Sequence, residues 1–139
     1  MKYFIDTNIF LRYFTDEENN KVFNDCSRLI KSIKLGKLSA VTSHLVIAEI
    51  AWTLPTSYDS SKSQILKVLN AIETLNGLKI VDVFDTRMTN KLFEDHSIKY
   101  IDALIASNPQ IQDKKMIVVS YDKDFDKLGV IRKEPSQII

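Results

Sequence analysis

Several acidic residues stand where solvated acids rarely do. Asp6 ends the apolar run Tyr3-Phe4-Ile5. Glu49 lies inside Leu45-Val46-Ile47-Ala48-Glu49-Ile50-Ala51-Trp52 and is the sole acid between Asp25 and Asp59. Asp102 lies inside Ile101-Asp102-Ala103-Leu104-Ile105-Ala106, and Asp122 and Asp124 follow Met116-Ile117-Val118-Val119 by way of Ser120-Tyr121. A carboxylate among apolar neighbours is partly desolvated and needs a cation or hydrogen-bond donors. Neither apolar run around Glu49 or Asp102 contains a Lys or Arg. Acids that converge repel one another unless a cation is bound. Hard ions such as Mg²⁺ take oxygen ligands, often one or two carboxylates with waters retained. Such ions activate water and stabilise leaving oxygens at phosphates. With one Cys and two His there is no soft ligand cluster, so the pattern points to metal-dependent phosphoester chemistry. Each acid alone has a local explanation, Asp6 and Asp122 as helix caps, Glu49 and Asp102 in distant ion pairs. The combination carries the reading.

The elements that must position these acids follow from the pattern. Tyr3–Ile5 and Met116–Ser120 are continuous apolar runs, as expected of strands buried on both faces. Leu38–Thr42 and Leu78–Val83 read as further strands, and Val130-Ile131 as a last edge strand. A short helix is expected over Ile9–Phe14, and a longer one opens at Asn19-Asn20 and closes at Gly36. In the latter, Val22, Cys26, Leu29 and Ile33 share an apolar face, which places Cys26 in the core. Ser43 caps a helix through Leu54, with Pro55 as its stop. Asp59 or Ser60 opens the next, with Ile65, Leu69 and Ile72 as its buried stripe and Gly77 as its end. Thr86–Asp95 and Ile101–Ala106 are also expected helices, the second ending near Asn108-Pro109. Asp122–Leu128 reads as a short helix or turn. Strands alternating with helices imply an α/β fold, a three-layer α/β/α sandwich on a central parallel sheet. Ligands of such sheets bind beyond the carboxyl ends of the strands, where Asp6 and Asp122 fall.

Composition bounds the function. The 139 residues are 45% hydrophobic and 27% charged, as expected of one globular domain over residues 1–139. Lys+Arg 19 against Asp+Glu 18 gives +1, which excludes a simple polybasic binder of nucleic acid or membrane. A single cysteine excludes an internal disulfide framework. No apolar run approaches the ~18–20 residues of a membrane span. The opening Met1-Lys2-Tyr3-Phe4-Ile5-Asp6 meets an acid too early for a signal peptide. The expected setting is cytoplasmic.

Four pieces, Phe4-Ile5-Asp6-Thr7-Asn8-Ile9, Ala48-Glu49-Ile50, Asp102-Ala103-Leu104-Ile105-Ala106 and Ser120-Tyr121-Asp122-Lys123-Asp124-Phe125, occur in an order that resembles PIN-domain ribonucleases. The resemblance is strongest to VapC-type toxins of toxin–antitoxin pairs. It implies a PIN-like fold and hydrolysis of RNA with Mg²⁺ or Mn²⁺. It makes Asp6 and Asp102 the leading metal ligands, Asp122 the fourth acidic position, Glu49 the second, often through water, and Asp124 a variable extra acid. Asn8 and Ser120 match small polar positions that orient carboxylates, with Thr7 between Asp6 and Asn8. It also implies a homodimer and a cognate antitoxin whose tail fills the active-site groove. The chain departs from the pattern at Ser107-Asn108-Pro109, where an alanine-rich turn is usual, and at Ser120, where Thr is frequent.

RNA approaching an acidic pocket requires cations at its rim. Arg12, after Asp6, and Lys123 and Lys127, near Asp122, are the candidates. His44 and His96 lack ligand or triad spacing and read as surface or capping residues. Trp52 fits either a core or a docking surface. Two other readings stay open. One is a haloacid-dehalogenase-like or receiver-like phosphotransfer domain, although the former wants Asp at position 8, which is Asn. The other is a non-catalytic PIN-like module that binds RNA or protein.

Overall fold

A computed structural model describes residues 1–16 and 19–139. Strands β1 (Lys2–Ile5), β2 (Ser39–Thr42), β3 (Leu78–Ile80), β4 (Met116–Val119) and β5 (Arg132–Lys133) form one sheet in the order β3-β2-β1-β4-β5. Every pairing is parallel. All four residues of β4 are buried, which accounts for its unbroken apolar sequence. The helices are α1 (Thr7–Thr15), α2 (Lys21–Lys34), α3 (His44–Ser57), α4 (Lys62–Glu73), α5 (Thr86–Asp95), α6 (Tyr100–Ala106) and α7 (Pro109–Gln112). Short 3-10 turns span Lys123–Lys127 and Pro135–Gln137.

Parallel crossovers are right-handed, so the strand order sets the layers. The chain steps one way from β1 to β3, then returns across the sheet to β4 on the other side of β1. Helices α1–α4 therefore cover one face and α5–α7 the other, the expected three-layer α/β/α arrangement. The reversal falls between β1 and β4, and a crevice opens beyond strand ends at such a point. The order also differs from the 2-1-3-4-5 order of receiver-type sheets. The core joins both faces through Phe10, Leu29, Ile33, Ile50, Ile105 and Phe125. Cys26 lies in it, fully buried.

Local chemistry moves several expected boundaries. Asn20 caps α2, its Oδ1 accepting from Val22 N–H at 2.8 Å. Gly36 (φ 72) closes the helix as expected, with Lys37 N–H on the Ser32 carbonyl and Gly36 N–H on the Ile33 carbonyl. Helix α3 runs through Pro55 rather than stopping before it. Pro removes one helix donor close to the end, while Thr56 Oγ1 donates to the Trp52 and Thr53 carbonyls and Tyr58 N–H still reaches the Leu54 carbonyl. Asp59 takes a left-handed turn (φ 52), so α4 begins later, capped by Ser61 in a reciprocal pair with Gln64. Of its expected stripe, Ile72 is buried, whereas Ile65 and Leu69 are only half-buried. Strand β3 is shorter than Leu78–Val83 because Asp82 leaves to accept the backbone N–H and ring of His44. The edge strand is Arg132–Lys133, two residues beyond Val130-Ile131. Among the described residues, no helix is long and apolar enough to cross a membrane.

Candidate active site

Asp6 leaves β1 at the N-cap position of α1, yet its carboxylate makes no capping bond. Its Oδ2 instead accepts from Ser120 Oγ at 2.6 Å and Asn8 Nδ2 at 3.3 Å. Ser120, completely buried just past β4, also accepts from Asn8 Nδ2 at 2.9 Å and Asp122 N–H at 3.0 Å. Asn8 Oδ1 accepts from Tyr121 N–H at 3.1 Å. The exits of β1 and β4 are thus bolted together by side chains of both. Asp122 does some local work, because its Oδ1 caps the 3-10 turn through Asp124 N–H at 2.9 Å.

The other two acids come from opposite helical layers. Glu49 enters from α3 and Asp102 from α6. With Asp6, Thr7, Asn8, Leu11, Thr53, Lys99 and Asp122 they line a cleft of about 190 Å³. One carboxylate oxygen from each of Asp102, Asp122 and Asp124 lies within 4.8 Å of the others. Asp102 is 3% exposed, and its Oδ2 is buried without a hydrogen-bond partner. Thr7 Oγ1 is likewise buried and unpartnered.

The electrostatics reflect this crowding. Burial pushes the Asp6 carboxyl up to about 6; the Ser120 bond opposes the shift, while Glu49 and Asp122 add to it. Burial also pushes Asp102 up to about 7, against the pull of Lys99 and with the repulsion of Asp6 and Asp122. Such sites hold protons or cations.

Lys99 is the residue that sequence reasoning missed. It precedes α6, lines the cleft and stands 4.0 Å from Glu49 Oε2. Its partial burial disfavours the charge, but Asp102, Glu49, Asp122 and Asp6 together hold its pKa above the ordinary value. A signal was present, since Lys99 stands three positions before Asp102, a spacing that makes residues neighbours on a helix. The expected rim cations lie elsewhere. Arg12 pairs with Asp16 at 3.5 Å and Lys127 with Asp124 at 3.1 Å. Lys123 is exposed, and none of the three lines the cleft. His44 pairs with Asp82 at the start of α3, His96 is half-buried, and Trp52 is 73% exposed, outside the core.

The family model for the PIN domain matches residues 3–131. The chain belongs to the PIN-domain family. Solved structures share the fold. VapBC2 from Rickettsia felis, bound to a DNA fragment from its promoter, matches at 21% identity and a TM-score of 0.70, over 96% of this chain and 98% of that one. FitAcB from Neisseria gonorrhoeae matches at 14% identity and 0.66, over 96% and 98%. Mycobacterium tuberculosis VapC20, described as a sarcin-ricin-loop-cleaving toxin, matches at 16% identity and 0.62, over 93% and 96%. A search of curated proteins finds no match.

Proposed function

We propose that the chain is a metal-dependent endoribonuclease that hydrolyses RNA phosphodiester bonds, the toxin of a toxin–antitoxin pair. The observation that carries this reading is the buried, unpartnered Asp102 Oδ2 among the carboxylates of Asp122 and Asp124. All-oxygen donors with one orphaned anionic atom fit Mg²⁺ or Mn²⁺. Asp6, Asp102 and Asp122 would hold the ion, with Glu49 acting through water and Asp124 as a further ligand. Bound there, the cation supplies charge neutralisation at a phosphate and a lowered pKa for an attacking water.

The chain's own groups do the rest. Ser120 and Asn8 fix the Asp6 carboxylate in one orientation, so no reorganisation is needed when substrate arrives. Thr7 lines the cleft, and its hydroxyl is buried there without a hydrogen-bond partner. Lys99, drawn to the acids, places a positive charge at the mouth where RNA must enter. Arg12, Lys123 and Lys127 lie outside this lining and would meet the RNA farther along its backbone. The family resemblance adds a cognate antitoxin whose tail fills the acidic groove, and a homodimer. The exposed Trp52 of α3 and Tyr58 just past its end offer apolar surface for such contacts.

The test is incubation of purified protein with total RNA and Mg²⁺ or Mn²⁺, beside a chelator control and Asp6→Asn. Cleavage that needs both the ion and Asp6 is the expected result. RNA bound but left intact would favour the non-catalytic module, and equal cleavage by Asp6→Asn or in chelator would refute metal catalysis at this site.

A further inference from the structure

The last carbonyl of the β4 exit lacks a strand donor. In the register Val118↔Arg132 and Val119↔Lys133, Val118 N–H bonds the Ile131 carbonyl at 2.9 Å and Ser120 N–H the Lys133 carbonyl at 3.1 Å. Continued one step, this parallel ladder would bond the Ser120 carbonyl to the N–H of residue 135. Residue 135 is proline, which has no N–H. Arg132 fills the gap, its Nη1 donating to the Ser120 carbonyl at 2.9 Å.

The rest of the guanidinium is anchored as well. Nε and Nη2 grip the two oxygens of Asp126 at 2.9 and 3.2 Å, and Nη1 reaches Glu134 Oε1 at 3.4 Å. The Arg132 side chain is only 11% exposed, low for a charged edge-strand residue. Asp126 belongs to the 3-10 turn that carries Asp124 and is capped by Asp122. One planar fork therefore joins the edge strand, the carbonyl of Ser120 and the acid-bearing turn. Lysine has no such fork.

We propose that Arg132 is a positioning residue, which replaces the strand bond that Pro135 cannot make and thereby holds the Asp6–Ser120–Asp122 array in register for the cation. The link to the cation rests on the metal-nuclease reading; the clamp itself does not. Two variants test it, Arg132→Lys and the milder Asp126→Asn, which leaves the bond to Ser120 in place. Amide hydrogen exchange is measured on metal-free protein, followed by Mn²⁺ titration. The Tyr121 and Asp122 amides, which bond Asn8 and Ser120, are expected to exchange at least about tenfold faster in Arg132→Lys. Rates at Phe4 and Val118 stay at the parent value. Mn²⁺ affinity falls about tenfold in Arg132→Lys and less in Asp126→Asn. Parent-like exchange at Tyr121 and Asp122, a uniform rise across β1 and β4, or unchanged Mn²⁺ affinity in Arg132→Lys would overturn the proposal. If the parent chain binds no Mn²⁺, the metal reading fails, and the exchange pattern alone decides on the clamp.

Discussion

Replacing Asp102 by Asn removes a charge that burial and the neighbouring Asp6 and Asp122 disfavour. Without divalent ions, Asp102→Asn should melt no lower than the parent; a drop of several degrees by calorimetry would contradict this. Asp6 and Asp102 also set a pH dependence. Their folded pKa values, about 6 and about 7, lie above the ordinary 3.8. Between about pH 4 and pH 7 the native state thus keeps protons that the unfolded chain has released, so stability falls as pH rises. Below that window both states are protonated and the slope vanishes. Chelator-treated protein should therefore have a higher Tm near pH 5 than near pH 7.5, with saturating Mn²⁺ flattening the difference. A Tm that climbs across the window would refute the assignment. At this scale the chain was readable where residue type and surroundings conflict. Asp6, Glu49, Asp102 and Asp122 stood out because acids are costly among apolar residues. Lys99 did not, because a lysine between Ile98 and Tyr100 reads as ordinary surface charge.

Ser120 shows how elements convey position to the site. Its hydroxyl donates to Asp6 and accepts from Asn8 and Asp122 across the exits of β1 and β4. Ser120→Ala leaves those buried groups short of a partner, so it should cost about 1–3 kcal/mol by denaturant unfolding and weaken Mn²⁺ binding about tenfold. Unchanged stability and affinity would make the hydroxyl dispensable. A second junction is Gly77, with φ 86 between α4 and β3. A Cβ there would collide with the Ile33 carbonyl of α2. Gly77→Ala should destabilise by more than about 1 kcal/mol, and a neutral effect in urea unfolding would show that the turn yields. The buried strands β1 and β4 were legible because parallel strands covered on both faces are uniformly apolar. The edge strand was not, since Arg132 and Lys133 break that pattern while their backbone still pairs with β4. Pro55 misled for the opposite reason, because a single missing donor near a helix end is tolerated when Thr56 takes up nearby carbonyls.

Across the whole molecule, the candidate site lies where the order of strand connections reverses, between the parallel strands β1 and β4, and the two helical layers meet there. The alternation of strands and helices made the layers readable. The seam was readable only in part, since β1 and β4 each announce an acid at their ends, whereas nothing local brings α3 and α6 to the same mouth. The near-neutral charge of +1 fits this arrangement, in which acids gather inward at the cleft. Phe125, a fully buried member of both the acid-bearing turn and the core, ties the site to global stability. Phe125→Ala should lower unfolding free energy by about 3–5 kcal/mol, a large share of the roughly 5–15 kcal/mol typical of a domain; a loss below about 1 kcal/mol would contradict its place in the core. The central claim is that buried, mutually repelling acids at this seam serve RNA cleavage. Its most direct test is the rate of RNA cleavage in Mn²⁺ by the parent and by Asp102→Asn, with Tm recorded for both in the absence of divalent ions. The account predicts a variant at least as stable as the parent that cleaves at least about 100-fold more slowly. A stable Asp102→Asn protein that cleaves at the parent's rate would contradict it.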